Sequence, residues 1–204
     1  MAEPDITFRT LSGRAIEPWL GVLARLRIEV FRDFPYLYDG SLDYEENYLR
    51  AYVESPDSLA VLACDGDMPV GVTTALPLAD ETEEFRRPFT AAGYDVERIF
   101  YCAESVLLKR YRGRGIYPRF FATREDHARA LGRFDWSAFC AVQRPDDHPL
   151  RPEDYAPLDP AWIRYGYTRH PELATSFAWK DLGESASSAK PMVFWLKPLR
   201  ENVR

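Results

Sequence analysis

The stretch Glu104-Ser105-Val106-Leu107-Leu108-Lys109-Arg110-Tyr111-Arg112-Gly113-Arg114-Gly115-Ile116-Tyr117-Pro118 has residue types and spacing that could do chemistry. An apolar run ends in a basic loop with two glycines, and a helical pattern follows. Free backbone amides at a helix start attract anions, and glycine lets a phosphate approach the chain closely. Lys109, Arg110, Arg112 and Arg114 add positive charge in a chain whose net charge is −6. A phosphorylated ligand is the natural guest of such a loop. Two common phosphate loops are excluded by their own requirements. A Walker A loop needs Lys and then Ser or Thr after its second glycine, where Ile116-Tyr117 stands. A dinucleotide fingerprint needs a third glycine, where Pro118 stands.

Glu104 is the second chemical feature. It interrupts an otherwise apolar strand pattern, and a carboxylate there is costly unless it is paired or put to use. It reads either as a structural carboxylate bonded to a neighbouring strand or helix, or as a general base. Cys64, Cys102 and Cys140 are widely spaced in apolar runs and read as buried thiols in a reducing compartment. His127 falls mid-helix and reads as a packed or surface residue, His148 could line a ligand site, and His170, just before Pro171, reads as a turn cap. There is no Cys-x-x-Cys and no His-Glu-x-x-His, so no metal site is expected.

These groups need a scaffold. The chain has 204 residues, 46% apolar and 28% charged, which suits one soluble domain over 1–204. Alternation at Ile6 and Phe8 predicts a first strand. Ile16, Leu20, Leu23, Val30 and Phe31 recur at helical spacing, with Pro18 near the helix start. A second helix is predicted from Asp43, with Glu46 as its capping-box partner and an apolar stripe of Tyr48, Leu49, Tyr52 and Val53. Strands are predicted over 59–64 and 69–78 around the turn Asp65-Gly66-Asp67. Residues 80–98 read as a short helix or ordered insertion, and their opening acids, Asp80 to Glu84, as a solvated face, with attraction of a cationic ligand as the alternative. A strand over 99–108, a helix over 116–131 ending at Gly132, and a strand over 135–143 follow. Residues 144–159 read as a long loop and 160–165 as a short helix ending at Gly166. Strands over 174–182 and 192–199 close the chain. The expected architecture is α/β, a mixed sheet with helices packed against it.

Composition excludes other classes. The isoelectric point near 5.2 opposes nucleic-acid binding by phosphate neutralisation, although the Arg110–Arg114 patch could serve an adaptor. No run approaches the ~20 apolar residues of a membrane span. Met1 to Asp5 lack a basic flank and an apolar stretch, so no leader and a cytoplasmic location are expected.

The spacing Arg110-x-x-Gly113-x-Gly115, between a strand and a helix, resembles the acyl-CoA loop of the GNAT superfamily of N-acetyltransferases. The order of elements is similar across nearly the whole chain, apart from the insertion over 80–98 and the loop over 144–159. The resemblance implies a GNAT-like fold, a central, mostly antiparallel mixed sheet with two splayed central strands. It implies acetyl-CoA as co-substrate, with pantetheine held by the backbone near Val106, Leu107 and Leu108. The amides from Arg112 through Gly113, Arg114, Gly115 and Ile116 to Tyr117 would cradle the pyrophosphate. The acetyl group would pass directly to the primary amine of a small molecule or to an exposed peptide amino group, with Glu104 as candidate base. The stretch Arg32 to Asp39 would form part of the acceptor wall. The family often carries a tyrosine four residues before its Gly-Phe or Gly-Tyr pair, where it protonates the leaving thiolate. Trp162 stands there, and an indole is no useful acid. Tyr165, about one turn on, is the substitute candidate. A catalytically silent CoA-binding sensor is the alternative, and a homodimer is compatible with the family, which contains monomers and dimers.

Overall fold

The structure, a computed structural model, describes residues 5–200. The expected plain N-terminus over 1–4 lies outside the described residues. One seven-stranded sheet is built from β1 (Ile6–Leu11), β2 (Leu59–Asp65), β3 (Met68–Pro77), β4 (Ile99–Leu107), β5 (Trp136–Val142), β6 (Thr168–Trp179) and β7 (Ser188–Pro198). Its order is β1-β2-β3-β4-β5-β7-β6. The β4–β5 pair is parallel and the other pairs are antiparallel. The helices are α1 (Leu20–Phe31), α2 (Leu42–Tyr48), α3 (Arg50–Glu54), α4 (Glu83–Ala91), α5 (Ile116–Leu131) and α6 (Asp159–Arg164). The α/β architecture and element order expected from the sequence are those observed.

Local chemistry explains most boundaries. α5 lies between Gly115 and Gly132, both in the left-handed region that glycine adopts without strain. Pro18 sits in a 3-10 turn, Gly13–Trp19, so the predicted first helix becomes two pieces and only the second is α-helical. The second helix is corrected. Ser41, not Asp43, caps it by accepting the Tyr44 amide, and Leu49 divides the expected stripe between α2 and α3. β6 begins six residues before the predicted strand, because a register shift between His170 and Ala174 absorbs Pro171.

The two sheet faces carry different layers. α1 packs on β3 and β4, and α4 packs on β6. Phe85 and Phe89 of α4 meet Tyr101 and Phe194. On the other face α5 covers β2, β3 and β4, and Phe121 meets Phe139. Gly71 brings β3 close to the end of β4. A Cβ there would stand 2.7 Å from Leu107 Cδ1 and 2.8 Å from the Val106 carbonyl. Those distances leave no room for a methyl group. Gly71→Ala is therefore expected to destabilise the fold by ~1–3 kcal/mol, read from urea unfolding midpoints. An unchanged midpoint would show that the two strands separate freely at this point.

Candidate functional site

The site begins where two strands part. β4 and β5 pair only at Ile99 with Trp136, Phe100 with Ser137, and Tyr101 with Ala138. Beyond Tyr101, β4 keeps β3 on one edge and no strand on the other among the described residues. β5 continues along β7 as far as Val142. The two central strands therefore diverge in a V toward their C-terminal ends, leaving the β4 edge over 104–107 open. A one-residue bulge in β4 accompanies the parting. Thr74 faces Glu104 while Leu76 faces Tyr101, two steps against three. Tyr101 and Glu104 consequently lie on the same sheet face, where regular alternation would oppose them.

The glycine loop closes the mouth of the V. Gly113 and Gly115 have φ of 78° and 75°. A Cβ at either would meet nothing within 4 Å, so the loop surface is open to a ligand. The Tyr111 and Arg112 amides are used inside the loop, by the Leu108 and Lys109 carbonyls. Those of Gly113, Arg114 and Gly115 have no acceptor among the described residues, and Pro118 in the first turn of α5 has no N–H to offer. Tyr111 anchors the loop by donating to Asp65 at 2.7 Å, while Arg110 and Arg114 lie over its ring. Arg112 turns back, its Nε donating to the Leu107 carbonyl at 3.3 Å. The loop thus presents backbone donors with arginines around them, as an anion requires.

Glu104 is buried on the α1 face, ion-paired with Arg27 Nη1. Arg27 Nε also pairs with Glu45 of α2. The guanidinium lies 4.6 Å from the Tyr48 ring centroid and 5.2 Å from that of Phe31. The Glu104 carbonyl accepts Thr73 Oγ1 at 2.6 Å and Arg124 Nη1 at 3.2 Å, which fixes the bulged backbone from both sides. Next to this group lies Glu81, the one acid that departs from the expected solvated face, while Asp80, Glu83 and Glu84 are exposed. Glu81 is 5% exposed, and one oxygen accepts only the Thr82 amide at 3.3 Å. Burial, partly offset by the Thr82 hydrogen bond and assisted by the nearby Glu104 charge, pushes its carboxyl up to about 7. Tyr48 and Tyr52, 3.3 Å apart at their hydroxyls, complete the cluster, their phenols raised by the same burial.

Tyr165 lies on the opposite face, its ring 5.0 Å from Phe121 and 6.3 Å from Tyr117. Trp162 donates to the Tyr117 hydroxyl at 2.9 Å, so the indole holds the first turn of α5. Cys102 and Cys140 sit on the two diverging strands as free buried thiols. Cys140 contacts the Tyr101 hydroxyl at 3.0 Å, and burial pushes its thiol up to about 12, the inert range. His127 Nε2 lies at hydrogen-bond distance from the Asp57 carbonyl, 3.0 Å, and His148 lies tilted against Phe34 with ring centroids 5.6 Å apart. His170 lies in β6, paired with Glu172, and caps no turn.

The expected acceptor wall over 32–39 is fastened to the β6–β7 end. Arg144 Nε donates to the Pro35 carbonyl at 2.7 Å and Nη2 to that of Tyr36 at 2.8 Å. Its two terminal nitrogens also grip Asp181 at 2.7 and 2.9 Å. Tyr38 bridges Asp181 as an isolated strand pair. Tyr36 stacks on Phe31, and its phenol is raised by burial and by the proximity of Cys140 and Tyr117. The other partners of Tyr36 are Trp179 of β6, 6.0 Å away between ring centroids, and the Arg144 guanidinium on its carbonyl. Arg27, Glu45, Glu81 and Arg144 were not singled out from the sequence. Arg27 left a trace, a charge placed in the stripe of Leu23, Ala24 and Phe31, whereas Glu81 was masked by the acids beside it.

Among the described residues no group of side chains could hold a metal ion, and no helix is long and apolar enough to cross a membrane. No protein-family model and no curated protein sequence matches the chain. Solved structures do. A Salmonella typhimurium protein described as an acetyltransferase with its cofactor acetyl-CoA is 9% identical with a TM-score of 0.60, covering 98% of this chain and 96% of its own. Arabidopsis thaliana NAA60 in complex with acetyl-CoA is 14% identical with a TM-score of 0.60, covering 95% and 98%. A GNAT-family acetyltransferase from Streptococcus pneumoniae is 12% identical with a TM-score of 0.58, covering 95% and 99%. The chain has the GNAT acetyltransferase fold.

Glu81 makes stability depend on pH. Folded Glu81 keeps its proton up to about 7, whereas the unfolded side chain loses it near 4.5. Between those values the folded state binds more protons, so this contribution to stability falls as pH rises. Glu81→Gln keeps the shape without the charge. Its stability advantage over the native chain is expected to widen by ~2 kcal/mol between about pH 5 and about pH 8, measured by denaturant unfolding. A constant difference would place the Glu81 titration outside that window.

Proposed function

We propose that the chain is an acetyl-CoA-dependent N-acetyltransferase that modifies the primary amine of a small molecule or an exposed peptide amino group. The parting of β4 from β5 above an open glycine cradle carries this reading. The open edge at the end of β4, beside Val106, Leu107 and Leu108, suits a pantetheine arm, which would compete with Arg112 for the Leu107 carbonyl. The amides from Arg112 to Tyr117 suit its pyrophosphate, with Arg110 and Arg114 beside them. Structural neighbours described with acetyl-CoA support the same co-substrate. The free buried cysteines suit a reducing compartment, and the cytoplasm is the proposed location.

An alkylammonium with a pKa of ~10.4 is neutral in about one molecule in 2,500 at pH 7, so deprotonation costs ~4–5 kcal/mol unless a base assists. Glu104 is the candidate base, by contact or through a water. Its Oε1 has no hydrogen-bond partner while Arg27 holds the carboxylate in place. The neutral amine attacks the thioester carbonyl, the C–N bond forms, and the C–S bond breaks. The developing oxyanion needs a donor, which the open β4 edge can provide. Tyr165 is the candidate proton source for the leaving thiolate.

Acetyl-CoA should raise the melting temperature saturably, CoA should do the same, and NAD and ATP should not. The gain is ~2.7 kcal/mol at 100 times the dissociation constant. Gly113→Glu, which places a carboxylate in the cradle, should abolish the shift while leaving the fold intact. An unchanged shift would remove the loop from the cofactor site. Binding without turnover of any amine would make the chain a CoA-binding module.

Single substitutions divide the chemistry. Glu104→Gln should lower kcat by ~10²–10⁴-fold with acetyl-CoA affinity retained. Tyr165→Phe should lower kcat less steeply if solvent can also protonate the thiolate. Full activity in either variant, assayed as free-thiol release, would take that residue out of the mechanism.

A further inference from the structure

We propose that Glu81, delivered by the segment inserted between β3 and β4, is the final acceptor of the amine proton, and that Glu104 holds the nitrogen for it. This rests on the acetyltransfer reading above and moves the role of base within it from Glu104 to Glu81, leaving Glu104 to position the nitrogen. The argument starts from acceptors without donors. Glu81 Oε1, Glu104 Oε1 and Thr74 Oγ1 are all buried with no hydrogen-bond partner among the described residues. Thr74 and Glu104 are cross-strand partners on one sheet face. Glu81 and Glu104 are 5% and 6% exposed and lie within range of each other's charge. Buried acceptors left unmatched are costly, and a guest with several N–H groups matches them. A primary ammonium carries three.

Charge points to the same guest. Arg27 pairs with both Glu45 and Glu104 and so leaves an acidic excess beside Glu81. The groups facing Glu81 are Arg27 of α1, Tyr48 of α2, Tyr52 of α3, Tyr101 and Glu104 of β4, and Cys140 of β5. Arg27 is the one cation among them, and its contacts are to the other two carboxylates. Glu104 is held by that contact, whereas Glu81 has no cationic partner, only the Thr82 amide on one oxygen and the Tyr52 hydroxyl close by. Desolvation raises the Glu81 carboxyl to about 7, where a base accepts a proton near neutrality and releases it again to solvent. Glu81 is therefore the member of the pair that can cycle.

The step balances. One ammonium proton moves to the Glu81 carboxylate, giving a neutral amine and a carboxylic acid. The amine nitrogen bonds to the acetyl carbon, and the electron pair of the C–S bond leaves with sulfur. The second nitrogen proton ends on the thiolate as CoA thiol, and Glu81 returns its proton to water.

The test measures free-thiol release from acetyl-CoA with benzylamine, phenethylamine or 1,4-diaminobutane, from about pH 5.5 to about pH 9. In the native chain kcat should fall on the acid side with a midpoint near neutrality. Glu81→Gln should lower kcat ~100-fold or more and remove that acid limb, with the acetyl-CoA melting shift retained. Glu104→Gln should lower kcat but keep the limb. A limb that survives in Glu81→Gln, or that vanishes in Glu104→Gln alone, overturns the proposal. So does failure of all three amines to react when acetyl-CoA is bound. Loss of the acetyl-CoA shift in the native chain would instead remove the acetyltransfer reading beneath it. Should Glu81→Gln not fold, Glu81→Asp decides. A base moves the acid limb to lower pH there, whereas a structural carboxylate leaves it in place.

Discussion

The separation of β4 from β5 after three paired positions is the constraint on which the rest depends. A parallel pair with a common direction would ordinarily continue its hydrogen bonds. Here β5 follows β7 for its whole length, and β4 follows β3, so the two halves of the sheet diverge as each keeps its own antiparallel partner. An exposed backbone edge inside a protein must find donors and acceptors elsewhere. The V therefore creates a demand for an extended polar guest, and the amide groups of a pantetheine arm have that character. The loop after β4 and the start of α5 then fall at the end of the same path.

The bulge at the parting couples this backbone feature to the chemistry. In a regular strand, residues three apart such as Tyr101 and Glu104 would point to opposite faces. The bulge turns Glu104 toward α1, where Arg27 meets it, and leaves its carbonyl to Thr73 and Arg124. A carboxylate in this position is costly to bury alone, and the Arg27 contact offsets that cost. The same guanidinium reaches Glu45, so α1 and α2 are tied to the central strand by charge as well as by packing. Arg144 performs an analogous task at the rim, holding the Pro35–Tyr36 backbone against Asp181.

The sheet, its element order and the glycine cradle were legible because each rests on local signals. Glycines at both ends of α5, alternation in the strands and turn residues between β2 and β3 are short-range chemistry. The buried Arg27–Glu104–Glu81 cluster was less legible because it is assembled from separate elements, α1, α2, α3, β4 and the segment between β3 and β4. Glu81 stands among four acids that read alike in one dimension, and only the fold of the inserted segment turns one of them inward. Tyr48 and Tyr52 show the same limit. Their spacing was read as apolar packing, which is half correct, since their rings pack while their hydroxyls meet. Ser41 was overlooked as a cap because Asp43 and Glu46 offered a stronger familiar pattern two residues on.

The segment between β3 and β4 has a structural role that bears on the chemistry proposed for it. Phe85 and Phe89 of α4 pack against Tyr101, Phe177 and Phe194, which joins the two halves of the sheet across the face where they diverge. Ser55 donates to Asp80 at 2.5 Å, so the start of the segment is also held to the end of α3. Glu81 lies between these two attachments. Its neighbours are fixed from both sides, and its carboxyl has little freedom to escape to water. A glutamate on a free surface loop would keep its ordinary acidity and would be charged at every physiological pH. The attachments remove solvent, and solvent removal is what shifts the proton affinity. Packing across the divided sheet and tuning of a carboxylate are thus consequences of the same few aromatic contacts.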